Sequence, residues 1–507
     1  MTGTLALEGA VPLRISAGAG AGYVLVSDGD GNASWVPPAT VPDVSDTGAL
    51  NVRSSTYGAV GDGVADDAPA IQAALTAALN AGGGWVVVPP GTYRLATLPL
   101  RIYRNTRLTL LPGATFVRGA PNTILVNGDA NQAYGGYTGH GNIVIEGGIW
   151  DLQATVISTN SCGMSIGHAR NVTVRDLIIK DVPSFHGIEI NSTFTARFER
   201  VQFTGFRDTT ADHSRGFSEA LQIDLAKGEA YFGPFGPYDN AVCQDIAIRD
   251  CYFGPSGTPG TTAWPRGIGS HSATIGTWHS DIRITGCMFD ALLQYAVDAY
   301  NYNHLTVADN QIRGCGAGVW VRVVNSTDAN DTMDVNGNQT SASQQINDIT
   351  VTGNEITGGG SYNDAITLQG EATGRIVGAS IADNIVDGTS GGQNGIRLLY
   401  VEQYTVGDNT VRGTANTGIS QQNIVGGVVE ANRIYSTGGS GISCDTGTGI
   451  QLEGNAVRDA GVNGIHVLSG SDIQIVDNYI KSASRATDLV GYGIRCSSST
   501  DGLLITG

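Results

Sequence analysis

The stretch GIHVLSGSDIQIVDNYI, residues 464–480, decides the fold of this chain. Apolar and polar residues alternate in three short pieces, at 464–467, 472–476 and 478–480, and small polar residues separate the pieces. Such alternation is typical of a strand with one buried face and not of an amphipathic helix. The stretch therefore predicts three strands joined by tight corners.

The same pattern repeats through the C-terminal half with a nearly constant period. The glycine that opens the first strand recurs at intervals of 23, 23, 23 and 29 residues, and the asparagine after the second strand at intervals of 25, 23, 23 and 23. The glycines are Gly395, Gly418, Gly441, Gly464 and Gly493, and the asparagines are Asn384, Asn409, Asn432, Asn455 and Asn478. A unit this short buries a face only by stacking on its neighbours.

Stacked three-strand units predict an all-β solenoid, the parallel β-helix, in which successive coils lie ~4.8 Å apart. Ile, Val and Leu of each coil are expected to point inward. We expect the recurring asparagines to form a side-chain ladder at a corner, because asparagine also tolerates left-handed backbone there.

Composition supports this architecture and excludes several partners. Glycine accounts for 72 of the 507 residues, roughly twice its ordinary share, as expected of a chain with many corners. The formal net charge of −18 argues against binding to nucleic acid. The seven cysteines form no CxxC pair, so we expect reduced residues in the core. No secretion signal is evident, and no apolar run is long enough for membrane insertion.

One capping helix is predicted ahead of the repeats, at about residues 66–81. Asp66 or Asp67 can cap it, a proline occupies its first turn, and Gly82 ends it. Its apolar stripe consists of Ile71, Leu75 and Leu79. Because the end of a solenoid needs covering, we expect this helix to lie across the first coil.

The stretch around that helix, YGAVGDGVADDAPAIQAALTAALNAGGGWVVVPPGTYRL at 57–95, closely resembles the opening motif of the pectate-lyase-like superfamily. That motif is common in phage tailspikes, in extracellular polysaccharide-degrading enzymes and in β-helical epimerases. With the repeats, the resemblance covers about residues 51–507 and implies a right-handed parallel β-helix domain. It does not fix the reaction, because the fold hosts lyases, hydrolases and non-catalytic binders.

Residues 14–38, RISAGAGAGYVLVSDGDGNASWVPP, look like a short element of phage tail-fibre and minor tail proteins. The alternative is a low-complexity linker with an incidental hairpin that turns at Asp30 and Gly31. The first interpretation implies that residues 1–50 attach to other virion tail or baseplate proteins, and that the protein is a homotrimer assembled in the host cytoplasm and located in the virion tail. An extracellular location is the alternative. We also expect a further cap or trimerisation element after residue 507.

Looser copies of the repeat fill about residues 140–345, whereas regular coils fill about 346–507. Insertions in a solenoid emerge on its surface and often build the binding face. In a strand that begins Gly-Ile-x-Val, the residues after Ile and after Val point outward, and stacking arranges them in columns. One predicted column holds Glu189, Gln222, Gly269, Asp298 and Trp320; the other holds Asn191, Asp224, His271, Tyr300 and Arg322.

We predict Asp224 and Asp298 as the acid/base pair, with Glu189 as an alternate carboxylate and His271 as a proton relay or substrate ligand. Residues two apart on a strand are separated by roughly 6.6 Å and coils by ~4.8 Å, which suits the carboxyl separations of glycosidases. The alternative is an ordinary polar face, and a register slip of one residue would invert every assignment.

Substrate contacts are predicted along the same columns. Trp320 and Tyr300 can stack on sugar rings, and Arg322 can bind an acidic sugar or a sulfate group. Further contacts are predicted at Asn191, Gln222 and His186, with His213 and Glu219 in reserve.

The favoured function is that of a phage tailspike or receptor-binding tail protein that binds and depolymerises a bacterial surface glycan, as a hydrolase or a lyase. The alternatives are a non-catalytic glycan-binding tail protein and a secreted bacterial polysaccharide lyase or hydrolase. Only isolated fragments of the polygalacturonase-like motifs occur, such as GSH at 269–271. The calcium-binding aspartates of pectate lyases are not evident. No cofactor or metal site is predicted, and calcium is expected only if the protein is a lyase.

Overall fold

The fold is a right-handed parallel β-helix, as the repeats and the resemblance predict. The computed structural model describes residues 24–27, 33–36, 48–228, 236–484 and 491–507. Within these ranges, parallel strands stack into three walls, of which the first and second form one continuous sheet that bends at their common corner.

The first wall carries the predicted columns and is built from one strand of each coil. Its separate strands are Leu100–Ile102, Leu125–Asn127, Met164–Gly167, Ile188–Asn191, Glu219–Asp224, Arg266–Gly269, Tyr295–Tyr300, Ala317–Arg322, Ile366–Gln369 and Ile396–Leu399.

The second wall follows the first along each coil. Its separate strands are Leu50–Asn51, Gly84–Val88, Thr106–Leu110, Ile143–Glu146, Arg170–Arg175, Phe194–Glu199, Gln244–Arg249, His279–Thr285, Tyr302–Ala308, Ile346–Thr352, Ile376–Ala382, Val401–Gly407 and Leu504–Thr506. In the last coils the corner between these walls does not interrupt the strand, so single strands replace the predicted pairs. They are Ile419–Glu430, Ile442–Glu453 and Ile465–Val476, whereas the last coil has Ile494–Asp501 followed by the separate strand Leu504–Thr506.

The third wall closes each coil. Its strands are Asp62–Asp66, Gly91–Leu95, Ala114–Arg118, Ile149–Asp151, Ile178–Pro183, Gln202–Arg207, Tyr252–Gly254, Met288–Asp290, Gln311–Arg313, Glu355–Gly359, Ile385–Thr389, Thr410–Arg412, Arg433–Tyr435, Ala456–Arg458 and Tyr479–Lys481.

The core runs along the solenoid axis, because every coil turns its branched aliphatic residues inward. On the first wall, Ile190 and Ile223 are fully buried. Phe203, Phe253 and Phe289 stack on one another inside the third wall, with ring centroids 4.9 and 4.8 Å apart. All seven cysteines are free, as expected, and six of them are buried.

The helix Ala68–Asn80 packs against the strands Gly84–Val88 and Leu100–Ile102 of the first coils, where a cap was predicted. Asp67 is the N-cap residue but makes no side-chain cap bond; the preceding Asp66 accepts a hydrogen bond from the Ala68 N–H at 3.2 Å. The buried face of the helix includes Ile71 and Leu75 of the predicted stripe. No helix in the described ranges has the length and apolarity to cross a bilayer.

An antiparallel hairpin precedes the solenoid in sequence. The strand Val24–Ser27 pairs with Ala33–Val36, and Leu25 lies opposite Trp35. The turn expected at Asp30 and Gly31 lies outside the described residues. The rest of the predicted attachment segment up to residue 47 lies outside them as well, so the attachment role stays a prediction.

The asparagine ladder stands at the corner between the second and third walls, as predicted. Each side-chain amide donates to the carbonyl oxygen of the next, at 3.0 Å from Asn384 to Asn409 and from Asn409 to Asn432. The ladder continues to Asn455 and Asn478, and it begins further upstream than predicted, at Asn310 and Asn354. The left-handed residue of this corner is the one before the asparagine, such as Asp408 with φ of 55°. The ladder asparagines therefore serve by hydrogen bonding and not by left-handed backbone.

Replacing one member of the ladder is expected to destabilise the solenoid. The buried Asn409 side chain donates to Asn432, Ile381 and Gly407 and accepts from Asn384, so Asn409→Ala leaves several buried groups unpaired. We expect a loss of about 3 kcal/mol, measured as a lower urea midpoint. The exposed Asn336, changed to Ala, is the control; equal midpoints for the two variants would contradict the role of the ladder.

Candidate functional site

The strand register of the first wall confirms the first predicted column. Glu189 pairs with Gln222, Gln222 with Gly269, Gly269 with Asp298, and Asp298 with Trp320. The column therefore joins residues that are more than a hundred positions apart in sequence.

The second column is confirmed only in part. Asn191 pairs with Asp224, and Tyr300 pairs with Arg322. The strand Arg266–Gly269 ends before His271, so His271 follows the wall on a loop.

The prediction that the carboxylates of these columns lie on an open surface is wrong. Asp224 is 2% exposed, Asp298 0% and Glu189 8%. The inserted loops lie against the wall instead of leaving it bare: Arg215 of loop 208–218 contacts His186, and Ser272 of loop 270–278 donates to Asp224.

Asp298 is the counter-charge of two guanidinium groups. Arg266 donates to it at 2.5 Å, and Arg322 donates to both of its oxygens at 2.9 and 3.2 Å. The two guanidinium groups offset the cost of burying this carboxylate, because opposite charges at hydrogen-bonding distance stabilise one another. Asp298 therefore neutralises the charges of Arg266 and Arg322 within the wall.

A second buried carboxylate, Glu219, orients His271. The Nδ1–H of His271 donates to Oε2 of Glu219 at 3.1 Å, and Oε1 of Glu219 lies 3.4 Å from Arg266. Burial by itself raises the pKa of Glu219, but the positive charges of His271 and Arg266 outweigh burial and lower that pKa to about 2. Burial by itself lowers the pKa of His271, but Glu219 outweighs it and raises that pKa. The pair is therefore a carboxylate–imidazole dyad.

The second nitrogen of His271 is held by a weaker contact. Nε2 of Gln222 lies 3.4 Å from Nε2 of His271. Oε1 of Gln222 is buried and has no partner among the described residues. The hydrogen bond from its amide to Asp224, at 3.0 Å, fixes the orientation of the Gln222 side chain.

Glu219 and Arg266 were not part of the predicted columns, although Glu219 was held in reserve. Each stands two residues before an inward residue, Leu221 and Ile268, so strict alternation assigns both to the core side. They lie side by side in the register at the start of the wall. The charge of Arg266 is balanced by Glu219 and Asp298. This pairing depends on tertiary structure, so the alternation of residues along the sequence does not reveal it.

Asp224 and Glu189 are buried carboxyl groups with raised pKa values. Burial raises the pKa of Asp224 to about 6, although hydrogen bonds from Ser272 at 2.5 Å and from the Leu225 N–H at 2.9 Å oppose the change. Burial likewise raises the pKa of Glu189, which accepts from Asn191 at 3.0 Å. Both groups retain protons at higher pH than ordinary carboxyls do.

Loop 208–218 adds a third guanidinium group beside the wall. The guanidinium carbon of Arg215 lies 4.7 Å from the ring centre of Phe185 and 4.9 Å from that of Phe217. Arg215 also donates to Nε2 of His186 at 3.3 Å. Burial lowers the pKa of His186 to about 3, so this imidazole is neutral and accepts the bond.

Three residues of the predicted columns retain exposed surface: His271, Trp320 and Arg322. A quarter of the His271 side chain is exposed. Trp320 stacks on Tyr295 with ring centroids 4.7 Å apart, and the guanidinium carbon of Arg322 lies 4.4 Å from the Trp320 ring centre. These three side chains are the part of the predicted site that a ligand can touch directly.

The other predicted substrate contacts are covered. The Tyr300 hydroxyl donates to Asp331 at 2.8 Å, and Arg322 occupies the face of its ring at 3.9 Å, so the predicted sugar-stacking face is not free. Asn191, Gln222 and His186 are buried as well. His213 is exposed on loop 208–218.

The first wall does not fit a calcium ion. Its buried carboxylates already accept from guanidinium, imidazole, amide or hydroxyl groups, as with Asp298, Glu219 and Asp224. In the part of the chain that the structure describes, no three His, Cys, Asp or Glu side chains are grouped closely enough to hold a metal.

Two family profiles match the sequence. Residues 335–507 match the right handed beta helix region, and residues 49–109 match the family described as rhamnogalacturonase A/epimerase, pectate lyase-like.

Two curated proteins illustrate the sequence similarity. The plasmin and fibronectin-binding protein A of Streptococcus pneumoniae is 27% identical over 291 residues, which is 52% of this chain and 39% of that protein. The mannuronan C5-epimerase AlgE3 of Azotobacter vinelandii is 49% identical over 53 residues, 10% of this chain and 3% of the epimerase. This chain therefore spans less than half the length of these relatives.

Solved structures share the fold. The Streptococcus pneumoniae surface protein and adhesin PfbA aligns with a TM-score of 0.59 and 20% identity, over 90% of this chain and 100% of that one. Tailspike protein 3 of bacteriophage CBA120 aligns with a TM-score of 0.51 and 12% identity, over 92% of this chain and 64% of that one. At these identities the likeness is one of fold alone.

Removal of the Asp298 charge is expected to destabilise the protein. Asp298→Asn leaves Arg266 and Arg322 largely buried without their counter-charge, which costs about 3 kcal/mol. The measurement is the urea midpoint, with Asp387→Asn as the matched control, because Asp387 pairs with Arg412 at 2.8 Å on an exposed surface. A midpoint for Asp298→Asn equal to that of the control would show that the buried ion pairs do not support the wall.

Proposed function

We propose that this chain, a right-handed β-helix of the pectate-lyase-like superfamily, is a tail protein of the tailspike type that binds and depolymerises an acidic polysaccharide of the bacterial surface. One observation carries the proposal. Three guanidinium groups, those of Arg215, Arg266 and Arg322, gather along the first wall around the half-buried imidazole of His271, in a chain whose net charge is −18.

The charge balance of the wall supports an anionic ligand. Arg215, Arg266 and Arg322 contribute three positive charges, and burial raises the pKa values of Asp224 and Glu189 above those of ordinary carboxyl groups. Glu219 and Asp298 both pair with Arg266, and Asp298 pairs with Arg322 as well. Local positive potential on an acidic protein attracts anionic ligands to one place and repels them elsewhere.

Sugar binding is assigned to the exposed edge of this wall. Trp320, stacked on Tyr295 and covered in part by Arg322, offers its remaining exposed surface to a sugar, and Arg322 offers N–H groups to a sugar carboxylate. The ion pair with Asp298 and the contact with Tyr300 hold that guanidinium in place before a ligand arrives. Preorganisation of this kind lowers the entropy that binding costs.

Proton abstraction beside a sugar carboxylate is the chemistry that these residues support best. Nε2 of His271 would take the C5 proton of a uronate residue while its Nδ1–H stays hydrogen-bonded to Glu219. The guanidinium groups would stabilise the negative charge that develops on the sugar carboxylate. The electron pair then forms the C4–C5 double bond as the C4–O bond breaks, and the leaving oxygen takes a proton from water. The products are a shortened chain and an unsaturated uronate.

Hydrolysis remains a second route, supported by the raised pKa of Asp224. A carboxyl group with a pKa of about 6 suits a general acid. In this route Asp224 acts with Glu189 in place of Asp298, and the side chains that cover Asp224 must move aside. Reducing ends without unsaturated uronate would identify hydrolysis.

Non-catalytic binding is the alternative from another functional class. The burial of every carboxylate in the columns favours it, and so does the likeness in fold to a pneumococcal adhesin. In that case His271, Trp320 and Arg322 hold a glycan or a host protein without cleaving it. The homotrimeric state and the attachment of residues 1–50 to other tail proteins belong to the tailspike proposal.

The activity test uses the full chain and a panel of acidic bacterial surface polysaccharides. We expect new reducing ends together with the ultraviolet absorbance of unsaturated uronate. His271→Gln is expected to reduce the rate by at least about 100-fold, with glycan binding retained. His304→Gln, an exposed histidine of the second wall, is the control. Undiminished cleavage by His271→Gln would remove its assigned role, and binding without products would support the non-catalytic alternative.

The pH dependence tests Glu219 as the positioning residue. A base with a raised pKa is active only when unprotonated, so kcat/KM is expected to rise as pH increases through the pKa of His271. Glu219→Gln removes the charge that holds this proton and is expected to move the rise to lower pH. A pH profile that keeps its position in Glu219→Gln would contradict the dyad, whatever the loss of rate.

A further inference from the structure

A second basic pocket lies away from the first-wall site, at the corner between the first and second walls in earlier coils. It has a volume of about 320 Å³ and is lined by Arg104, Asn105, Tyr137, Gly139, Gly141, Asn142 and Arg170. These residues follow the first-wall strands Leu100–Ile102, Leu125–Asn127 and Met164–Gly167. The first-wall site begins one coil later, at Ile188–Asn191.

The two arginines of this pocket are unusual in having no acidic partner among the described residues. Aromatic faces hold them instead: the guanidinium carbon of Arg104 lies 5.9 Å from the ring centre of Tyr134, and that of Arg170 lies 4.7 Å from that of Phe194. Each side chain is exposed. Two positive charges are thus presented with their N–H groups uncommitted.

The corner beneath these arginines is fixed by its own hydrogen bonds. Asn142 donates to Asn105 at 3.0 Å, and Asn171 donates to Asn142 at 2.9 Å. Gly141 lies so close to the Arg170 carbonyl oxygen that a side chain there would overlap it. The backbone that carries the guanidinium groups is therefore held in position before binding.

Asp239, an acidic group close to Tyr137, is already occupied. Asp239 accepts from the Gly136 N–H at 2.7 Å and from the Ala241 N–H at 3.0 Å. Tyr137 stays neutral because burial raises its pKa to about 12, and its hydroxyl donates to the Val242 carbonyl at 3.0 Å. The pocket therefore carries net positive charge and an aromatic surface.

We propose that this pocket is a second glycan subsite, which binds the carboxylate of a uronic acid residue between Arg104 and Arg170. A planar carboxylate matches the paired N–H groups of guanidinium, and the surrounding rings suit the faces of a sugar. This inference rests on the proposed acidic-glycan function and extends it. A long polysaccharide held at both places would gain affinity because the second contact is intramolecular.

The test measures binding of a short oligogalacturonate to the full chain by calorimetry at low salt. Arg104→Gln and Arg170→Gln are each expected to weaken binding about fivefold. Arg433→Gln, an exposed arginine on the third wall, makes the same charge change and is expected to leave binding unaltered. A reduced oligosaccharide, in which each carboxylate has become an alcohol, is expected to bind to none of the proteins.

Two results would overturn the proposal. The first is that both pocket variants bind oligogalacturonate with wild-type affinity. The second is that inorganic sulfate or phosphate competes as strongly as the uronate does, which would identify a general anion site. A failure of the proposed function is distinguishable from a failure of this proposal. If His271→Gln still cleaves the glycan and Arg322→Gln leaves binding unchanged, the first-wall site is wrong. If the pocket variants weaken binding in the same experiments, the pocket is a glycan subsite without the first-wall site.

Discussion

Hydrogen bonding between successive coils in one fixed register is the constraint on which the rest of this structure depends. The register keeps one column unbroken from Glu189 through Asp298 and Trp320 to Arg495. A slip of one residue would exchange the inner and outer faces of a strand, and the buried aliphatic residues prevent it. Side chains far apart in sequence thereby become neighbours on the first wall.

The charges of that wall are tolerated because they compensate one another locally. Glu219 and Asp298 are removed from water, yet each faces guanidinium or imidazole groups at hydrogen-bonding distance. Ion pairs of this kind repay the cost of burial only when their geometry is good. A structural wall can use neutral residues, as at Ser420 and Ser443 of the regular coils, where the pair of Arg397 with the buried Asp364 is an exception. The concentration of compensated charge in the coils with insertions therefore points to function.

Much of the fold could be predicted from sequence, because alternation and repetition are local properties. The alternation in residues 464–480 predicts the order of strands in one coil. The recurrence of asparagine, as at Asn409 and Asn432, predicts the side-chain ladder. The first-wall column followed from the same alternation. The left-handed backbone was assigned to the wrong corner residue, since both neighbours are polar and the sequence does not distinguish them.

The site was less accessible to such reasoning. Whether Asp224 and Asp298 are exposed depends on how the inserted loops fold back, and loop packing has no periodic signature. Glu219 and Arg266 occupy positions that alternation along their strands assigns to the core side, so alternation excludes them from the predicted columns. Arg104 and Arg170 lie on different coils and meet only through the corner that stacking builds.

The central claim is that the exposed edge of the first wall holds an acidic glycan next to His271. A crystal structure of the full chain with an oligosaccharide of the polymer it binds tests this most directly. We expect a uronate carboxylate on Arg322, a sugar ring on Trp320, and C5 of that sugar within reach of Nε2 of His271. An oligosaccharide bound to another wall, with this edge vacant, would contradict the claim.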